Sequence, residues 1–422
     1  MNRKVGIRMV IGLFAIAALY LGYWWFSNYS LDTDGNAKNN TVGMIAAIRN
    51  GESGPQAVLF KEDGTEVASN GFNAGNTDRE ISWSPDGNHI YFSSDRAGES
   101  YNIFRWNPGS NKVEQRSLET GRSQSAPTWG TPDHPSFTTD GLIVAGGAVF
   151  RYIPKLKRAE QILPPASKEA ALDQEGGRQS AMAIYEKIGT SFKDARWGPG
   201  RQVIFAVMRR DEGEVFVINY MVTGPDGQPI PPIPVIAGDE IQMDVGPDGT
   251  AVIAVRNCQF PDPENVPDEY LKDGKPVVPY KHGLEMIRVE SDLRPIRAPI
   301  VAFFDDNVIF VDPAISPAGD EIAVSVAGIQ NGQDIMPKGL ALVALKPTTQ
   351  ESPPIQTPIL EGPITKPRWS GDGARYVFLK DEAGGKRSVY TADKDGSGES
   401  KISTSGDDYD IPSFSPQVPA SS

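Results

Sequence analysis

One short pattern recurs along the chain and limits its fold more than any other feature. An aromatic or aliphatic residue is followed by a small residue and then Pro-x-Gly. It reads Trp83-Ser-Pro-Asp-Gly87, Trp197-Gly-Pro-Gly200, Val245-Gly-Pro-Asp-Gly249, Ile315-Ser-Pro-Ala-Gly319 and Trp369-Ser-Gly-Asp-Gly373. Weaker copies are Trp129-Gly-Thr-Pro-Asp133 and Phe414-Ser-Pro416. Proline presets φ at the second turn position and glycine accepts φ > 0, so each copy reads as a tight turn. A strand-like run usually follows, as in His89-Ile-Tyr-Phe-Ser93, Val203-Ile-Phe-Ala-Val207, Ala251-Val-Ile-Ala-Val255 and Tyr376-Val-Phe-Leu379.

Further strands and a second turn come next, as in Tyr101–Trp106 before Asn-Pro-Gly and Ser388–Ala392 before Asp-Lys-Asp-Gly396. Each unit is therefore a four-stranded meander. The key residues are spaced 46, 68, 48, 70, 54 and 45 apart. A period of roughly 40–45 with four strands per unit marks a β-propeller. Seven inner-strand motifs give seven blades, with six or eight as alternatives because several copies are degenerate. The last motif, Ile411–Ser415, has no sequence left for outer strands, while 42–69 supplies three strands with no inner strand before them. Pairing the two ends closes the ring and removes exposed sheet edges.

On these motifs the chain resembles the TolB-like family, whose propeller repeats are called PD40 or WD40-like. The segments 81–117 and 367–403 carry the resemblance best. In both, Trp-Ser-x-Asp-Gly, an aromatic strand, an Asp-containing turn (Asp95–Gly98; Asp381–Gly384) and a second hairpin fall in family order. The resemblance covers about 42–416 and implies an all-β propeller; such repeats serve many functions, so it implies no single activity. The chain departs from TolB in that a membrane anchor, rather than an α/β domain, is expected before the propeller, so the partners of TolB are not carried over.

The anchor follows from the N-terminus. Residues 1–8 carry Arg3, Lys4 and Arg8, after which Met9 to Phe26 runs without a charge. About 18–20 apolar residues span a bilayer core as a helix. Tyr23, Trp24 and Trp25 close the run like an interfacial belt, and Asp32 and Asp34 follow. Ala15-Ile16-Ala17 offers a small-x-small cleavage site, but apolar sequence continues well past it. The expected organisation is a cytoplasmic tail (1–8), a transmembrane signal anchor (9–28), a linker (29–40), the propeller (41–416) on the periplasmic side of the plasma (inner) membrane, and a tail (417–422). Two stretches break the repeat: about 151–191, with helical character over 166–173 and 181–188, and about 257–297, rich in proline, aspartate and lysine. Loops this long in a compact domain serve function or are disordered.

Composition narrows the chemistry. A net charge of −13 argues against a nucleic-acid partner. One cysteine, Cys258, excludes an intrachain disulfide and a Cys-based zinc site. Three scattered histidines, His89, His134 and His282, leave little for histidine catalysis. No Gly-x-Ser-x-Gly elbow is present, which argues against a serine hydrolase. Asp393-x-Asp395-x-Ser397-Gly398 imitates half a calcium loop, but its twelfth position is Thr404, so it reads as a hairpin turn and no cofactor is expected. The tryptophans Trp83, Trp129, Trp197 and Trp369 recur at one repeat position, which marks packing between blades.

The chain is thus expected to act as a protein-interaction or scaffold module in a cell-envelope assembly, with envelope or membrane proteins as partners. Its candidate contacts are the basic cluster Arg151, Lys155, Lys157 and Arg158, and the residues entering the inner strands: Asp78, Arg79, Asp194, Asp239, Asp312, Lys366, Asp408 and Asp410. A carboxylate-dependent glycan hydrolase or lyase, or a small-ligand sensor, at the channel mouth is the alternative. Replacing residues 1–28 with a cleavable export signal should give a folded protein that leaves the membrane fraction; retention after a high-salt wash would require a second attachment.

Overall fold

The computed structural model describes residues 43–70, 76–116, 122–129, 140–154, 158–164, 185, 187–224, 230–262, 264–266, 268–331, 334–345, 358–403 and 406–416. Residues 1–42, which hold the expected anchor, lie outside them. No described helix is long and apolar enough to cross a membrane.

The described strands form seven four-stranded antiparallel sheets and one small hairpin. Blades 1 to 7 are numbered by their inner strands: Asp78–Trp83, Thr128–Trp129, Ser191–Trp197, Glu240–Val245, Ile309–Ile315, Ile364–Trp369 and Asp408–Phe414. Blades 1 to 6 each continue outward through three later strands. Blade 7 is closed by the start of the propeller: Asp408–Phe414 pairs with Ile45–Gly51, followed outward by Gly54–Phe60 and Glu66–Ser69. The seven-bladed, end-paired ring expected from the repeat is the observed fold.

Middle strands are buried on both faces, which is why they read as unbroken apolar runs rather than alternating ones. Val203–Met208 is wholly buried, as is Ile90–Ser94. The core is divided accordingly, each apolar cluster filling the wedge between two neighbouring blades. Phe205 and Phe216 of blade 3 meet Ile241 and Ile253 of blade 4, and Ala46 and Leu59 of blade 7 meet Trp83 and Phe92 of blade 1. Burial of each such side chain contributes about 1.5–3 kcal/mol.

The Pro-x-Gly turns join first and second strands and ring one end of the channel, the turn face. Ile45 pairs with Phe414 at that end, so the chain enters and leaves the propeller there. Links from each outer strand to the next inner strand, and from second to third strands, lie at the opposite end.

Both insertions are shorter than the sequence suggested. Ala148–Ile153 and Arg158–Leu163 are the third and fourth strands of blade 2, so the first begins after Pro164. Likewise His282–Val289 and Pro295–Phe303 complete blade 4, which leaves 257–281 as the second. Charged and proline residues in outer strands, where one side meets solvent, hid these strands from a hydrophobic reading. Residues 165–184 and 186 lie outside the described residues; Tyr185, Lys187 and Ile188 are helical, as expected for the end of that stretch.

Truncation at Gly406 should lower the thermal midpoint of the whole propeller, because it removes the buried Tyr409 and Phe414 and uncovers the edge of Ile45–Gly51. Unchanged thermal unfolding would show that end pairing does not hold the ring.

Candidate interaction face and channel

An inner strand has a ladder partner on one side only, so its other edge presents unpaired N–H and C=O groups to the channel. Side chains from neighbouring blades meet these groups around the ring. Glu80 accepts from the Ala126 N–H (2.9 Å), and Thr128 Oγ1 donates to the Ala195 carbonyl (2.8 Å). Glu214 accepts from the Ile241 N–H (2.8 Å), while Gln242 and Asp244 accept from the N–H groups of Asp312 (2.5 Å) and Ile315 (2.8 Å). Asp312 accepts from the Lys366 N–H (3.1 Å), and Lys366 Nζ donates to Asp410 (2.5 Å). Two of the four repeat tryptophans act in the same way: Trp83 Nε1 donates to Ser413 O (3.2 Å) and Trp369 Nε1 to Ala314 O (2.9 Å).

Five of the inner strands shift register, at Arg79/Ile81, Phe192/Asp194, Val311/Ala314, Thr365/Arg368 and opposite Ala46/Ile48. At four of these bulges a residue other than glycine has left-handed backbone: Glu80 (φ 35°), Asp312 (54°), Lys366 (51°) and Ile411 (48°). Each costs on the order of 1–3 kcal/mol and persists because the surrounding ties over-determine it. Proline follows three of them, at Pro313, Pro367 and Pro412, where a missing N–H breaks no ladder bond.

The residues expected at the channel mouth are therefore engaged within the ring. Asp78 is wholly buried and accepts from Arg96 Nη2 (2.9 and 3.1 Å), the Ala57 N–H (3.2 Å) and Asn70 Nδ2 (2.5 Å), which ties blade 1 to blade 7. Arg79 lies 4.0 Å over the Tyr101 ring. Asp194 accepts from its neighbour's N–H (2.8 Å) with Arg196 at 3.5 Å, and Asp239 accepts from Asn257 (2.5 Å) and Gln259 (3.2 Å). Burial pushes the Asp408 carboxyl up, but hydrogen bonds from Arg387 and Asn50 outweigh it and hold its pKa at about 2. The sequence could name these residue types but not most of their partners, since, Asp194 apart, each finds a partner outside its own strand.

Of the basic cluster, Arg151 and Arg158 lie towards the turn face. Arg151 pairs with Asp140, and Arg158 with Glu160 at 2.6 Å. Lys155 and Lys157 lie outside the described residues. The Asp393–Gly398 segment is a turn, with Ser397 N–H donating to Asp395 (2.9 Å) and Arg375 beside Asp393 (3.2 Å). Among the described residues no group of three His, Cys, Asp or Glu side chains is placed to hold a metal ion. Cys258 is buried, and burial first, then the Glu285 charge, push its thiol up to about 12, so it is inert as a nucleophile.

The described residues of both insertions stand at the end opposite the turns, and they meet there. Lys187 Nζ at the end of the first lies 2.9 Å from Asp262 of the second. Tyr185 anchors the first on blade 3, its hydroxyl 2.8 Å from Asn219 Oδ1. The second is fastened to blade 3 through paired backbone bonds between Ala237 and Gln259 (3.2 and 2.8 Å). It carries the hairpin Leu271–Lys272 with Lys275–Pro276, and its Leu271 and Val277 are exposed. Phe304, 73% exposed, follows the adjoining outer strand of blade 4.

Inside the ring is a cavity of about 960 Å³ lined by all seven blades. Three carboxylates (Glu80, Asp194, Asp244) and four cations (Lys193, Arg196, Arg209, Arg368) line it. Burial raises the Glu80 pKa, and the nearby Asp194 charge adds to this, against the Ala126 N–H and Arg196. Asp194 is among the inner-strand residues expected at the channel mouth; which other side chains face the cavity depends on alternation within a bulged strand, which cannot be phased without the ladder.

No protein-family profile matches the chain. No curated protein matches it. Solved structures are similar to it at low identity. TolB from Acinetobacter baumannii is 11% identical over 89% of this chain and 67% of its own, with a TM-score of 0.43. An oligogalacturonate lyase from Vibrio parahaemolyticus is 10% identical over 86% and 85%, with a TM-score of 0.46. A puromycin-hydrolyzing peptidase from Mycobacterium tuberculosis is 12% identical over 85% of this chain, with a TM-score of 0.43. The chain spans about half, 52%, of that peptidase. The strand pairing itself is what establishes the propeller.

Asp78→Ala should destabilise the propeller by about 3–5 kcal/mol, since it strands Arg96 and two buried donors, while leaving partner binding per folded molecule unchanged. Chemical denaturation together with a binding assay checks both; normal stability with lost binding would make Asp78 a contact residue instead.

Proposed function

We propose that this chain is a membrane-tethered, extracytoplasmic propeller that works as a protein-interaction module in a cell-envelope assembly, and that its partner docks at the face carrying the two insertions. The observation that carries the reading is the convergence of those insertions. They are far apart in sequence, neither is needed to close a propeller, and yet Lys187 at the end of the first pairs with Asp262 of the second. Ordering a residue costs about 1–2 kcal/mol of backbone entropy, so fastened loops of this kind are maintained by contacts they make. The chain's entry and exit points at the turn face leave this end unobstructed by Gly43 or Pro416. Tethering through Met9–Phe26 would raise the effective concentration of the face for partners in the same membrane.

A second reading uses the channel. Glu80 and Asp194 interact by charge beside Arg196, and a raised carboxyl pKa suits a general acid. That reading requires turnover or ligand binding sensitive to Glu80→Gln.

Replacing residues 260–279 with a Gly-Ser-Gly link keeps the neck, where the Cys258 N–H donates to Lys281 O at 2.8 Å. The expected outcome is unchanged unfolding of the propeller with loss of a stoichiometric envelope partner in mild-detergent purification. A photo-crosslinker at Leu271 should capture that partner, and one at Asp86 on the turn face should not. Retained association in the replaced protein would move the site to the channel.

A further inference from the structure

The neck of the second insertion is pinned by one buried histidine. Asn257 opens the insertion in left-handed backbone (φ 49°). Its N–H donates to His282 Nδ1 (3.1 Å) and its side-chain Nδ2 to Asp239 (2.5 Å). The ring of His282 is wholly buried, and its Nε2 lies 2.7 Å from Asp306 Oδ1. Lys281 Nζ lies 2.7 Å from the other oxygen of that carboxylate.

This geometry sets the tautomer. A nitrogen that accepts from a backbone N–H carries no proton, so the neutral ring is protonated on Nε2 and donates to Asp306. A second proton on Nδ1 would point at the Asn257 N–H, donor against donor, and the contact must break. The segment loosened by that break is the insertion itself, since Asn257 and Lys281 are its two ends.

We propose that His282 is a pH-sensitive latch: neutral, it holds the neck of the 257–281 insertion closed, and protonated, it releases it. Burial opposes the charged ring most strongly; Lys281 and Arg256 oppose it further, and Asp306 favours it. Arg256 is itself 3.4 Å from Glu240, and Asp239 stands behind Asn257. The net result is a His282 pKa below the ordinary value. The folded protein therefore binds this proton less readily than the unfolded chain does. The closed latch is fully stable above about pH 6.5, the ordinary histidine value, and weakens as pH falls below it. The latch concerns the order of the insertion alone; its control of docking rests on the interaction reading, and the two are tested separately.

Hydrogen exchange on the full chain in detergent, corrected for intrinsic rates, reads the latch directly. Residues 257–281 should be protected at about pH 7.5 and lose protection by about tenfold per pH unit below the transition, as one linked proton requires. Central strand Val203–Arg209 should not change. Lys281→Met, which raises the closed-state pKa towards the ordinary value, should shrink the total loss of protection, and Asp306→Asn, which lowers it further, should enlarge the loss, while His282→Gln should remove the pH dependence. With only three histidines in the chain, imidazole nitrogen NMR should show the Nε2–H tautomer for His282 at neutral pH. An Nδ1–H tautomer, or the same pH-dependent loss of protection in His282→Gln, overturns the latch. Neither outcome bears on whether a partner binds, which the Leu271 crosslink decides.

Discussion

Every inner strand of this ring leaves one backbone edge facing an open channel, and the satisfaction of those edges is the condition on which the rest of the structure depends. The wedge-shaped apolar clusters supply most of the driving force, but they are non-directional and do not set how neighbouring inner strands register. Side-chain acceptors and donors do. Glu80, Glu214, Gln242, Asp244 and Asp312 each cap an N–H of a following strand, and Trp83 and Trp369 each cap a carbonyl of a preceding one. The left-handed bulges at Glu80, Asp312, Lys366 and Ile411 are held in place by this lattice and re-aim the strands that carry it.

That same economy limits what the channel rim can do for a partner. Carboxylates that look like a binding funnel in the sequence are engaged in holding blades together, Asp78 most completely. Exposed Leu271 and Val277 stand instead on an insertion fastened to blade 3. Rigid fastening lowers the entropy lost when a partner docks, and the His282 contact places that fastening under the control of one proton.

Much of the architecture was legible in the sequence because it is local. Pro-x-Gly chemistry forces a turn wherever it occurs, and the residues 411–415 motif with nothing after it can be completed only by strands at the other end of the propeller. The role of the repeat tryptophans was legible for the same reason: a large apolar residue at a fixed repeat position must fill the same wedge each time. The insertion boundaries were not, because Arg158–Leu163 and Pro295–Phe303 are outer strands whose exposed side carries the charges and prolines of a loop.

By itself, then, the amino-acid sequence determined the repeat, its four-stranded unit, the closure of the ring and the apolar N-terminal run, each a property of neighbouring residues and their periodicity. Only the tertiary structure decided which charged groups are spent and which are free. Asp78 finds Arg96, Arg151 finds Asp140, and Lys187 finds Asp262 across 75 residues of chain. It also decided that Arg151 and Arg158 stand towards the turn face, and Lys187 and Asp262 at the opposite end of the channel. Those outcomes depend on which strand ends the ring brings to one face, and a pairing between distant segments is written in no local run of residues.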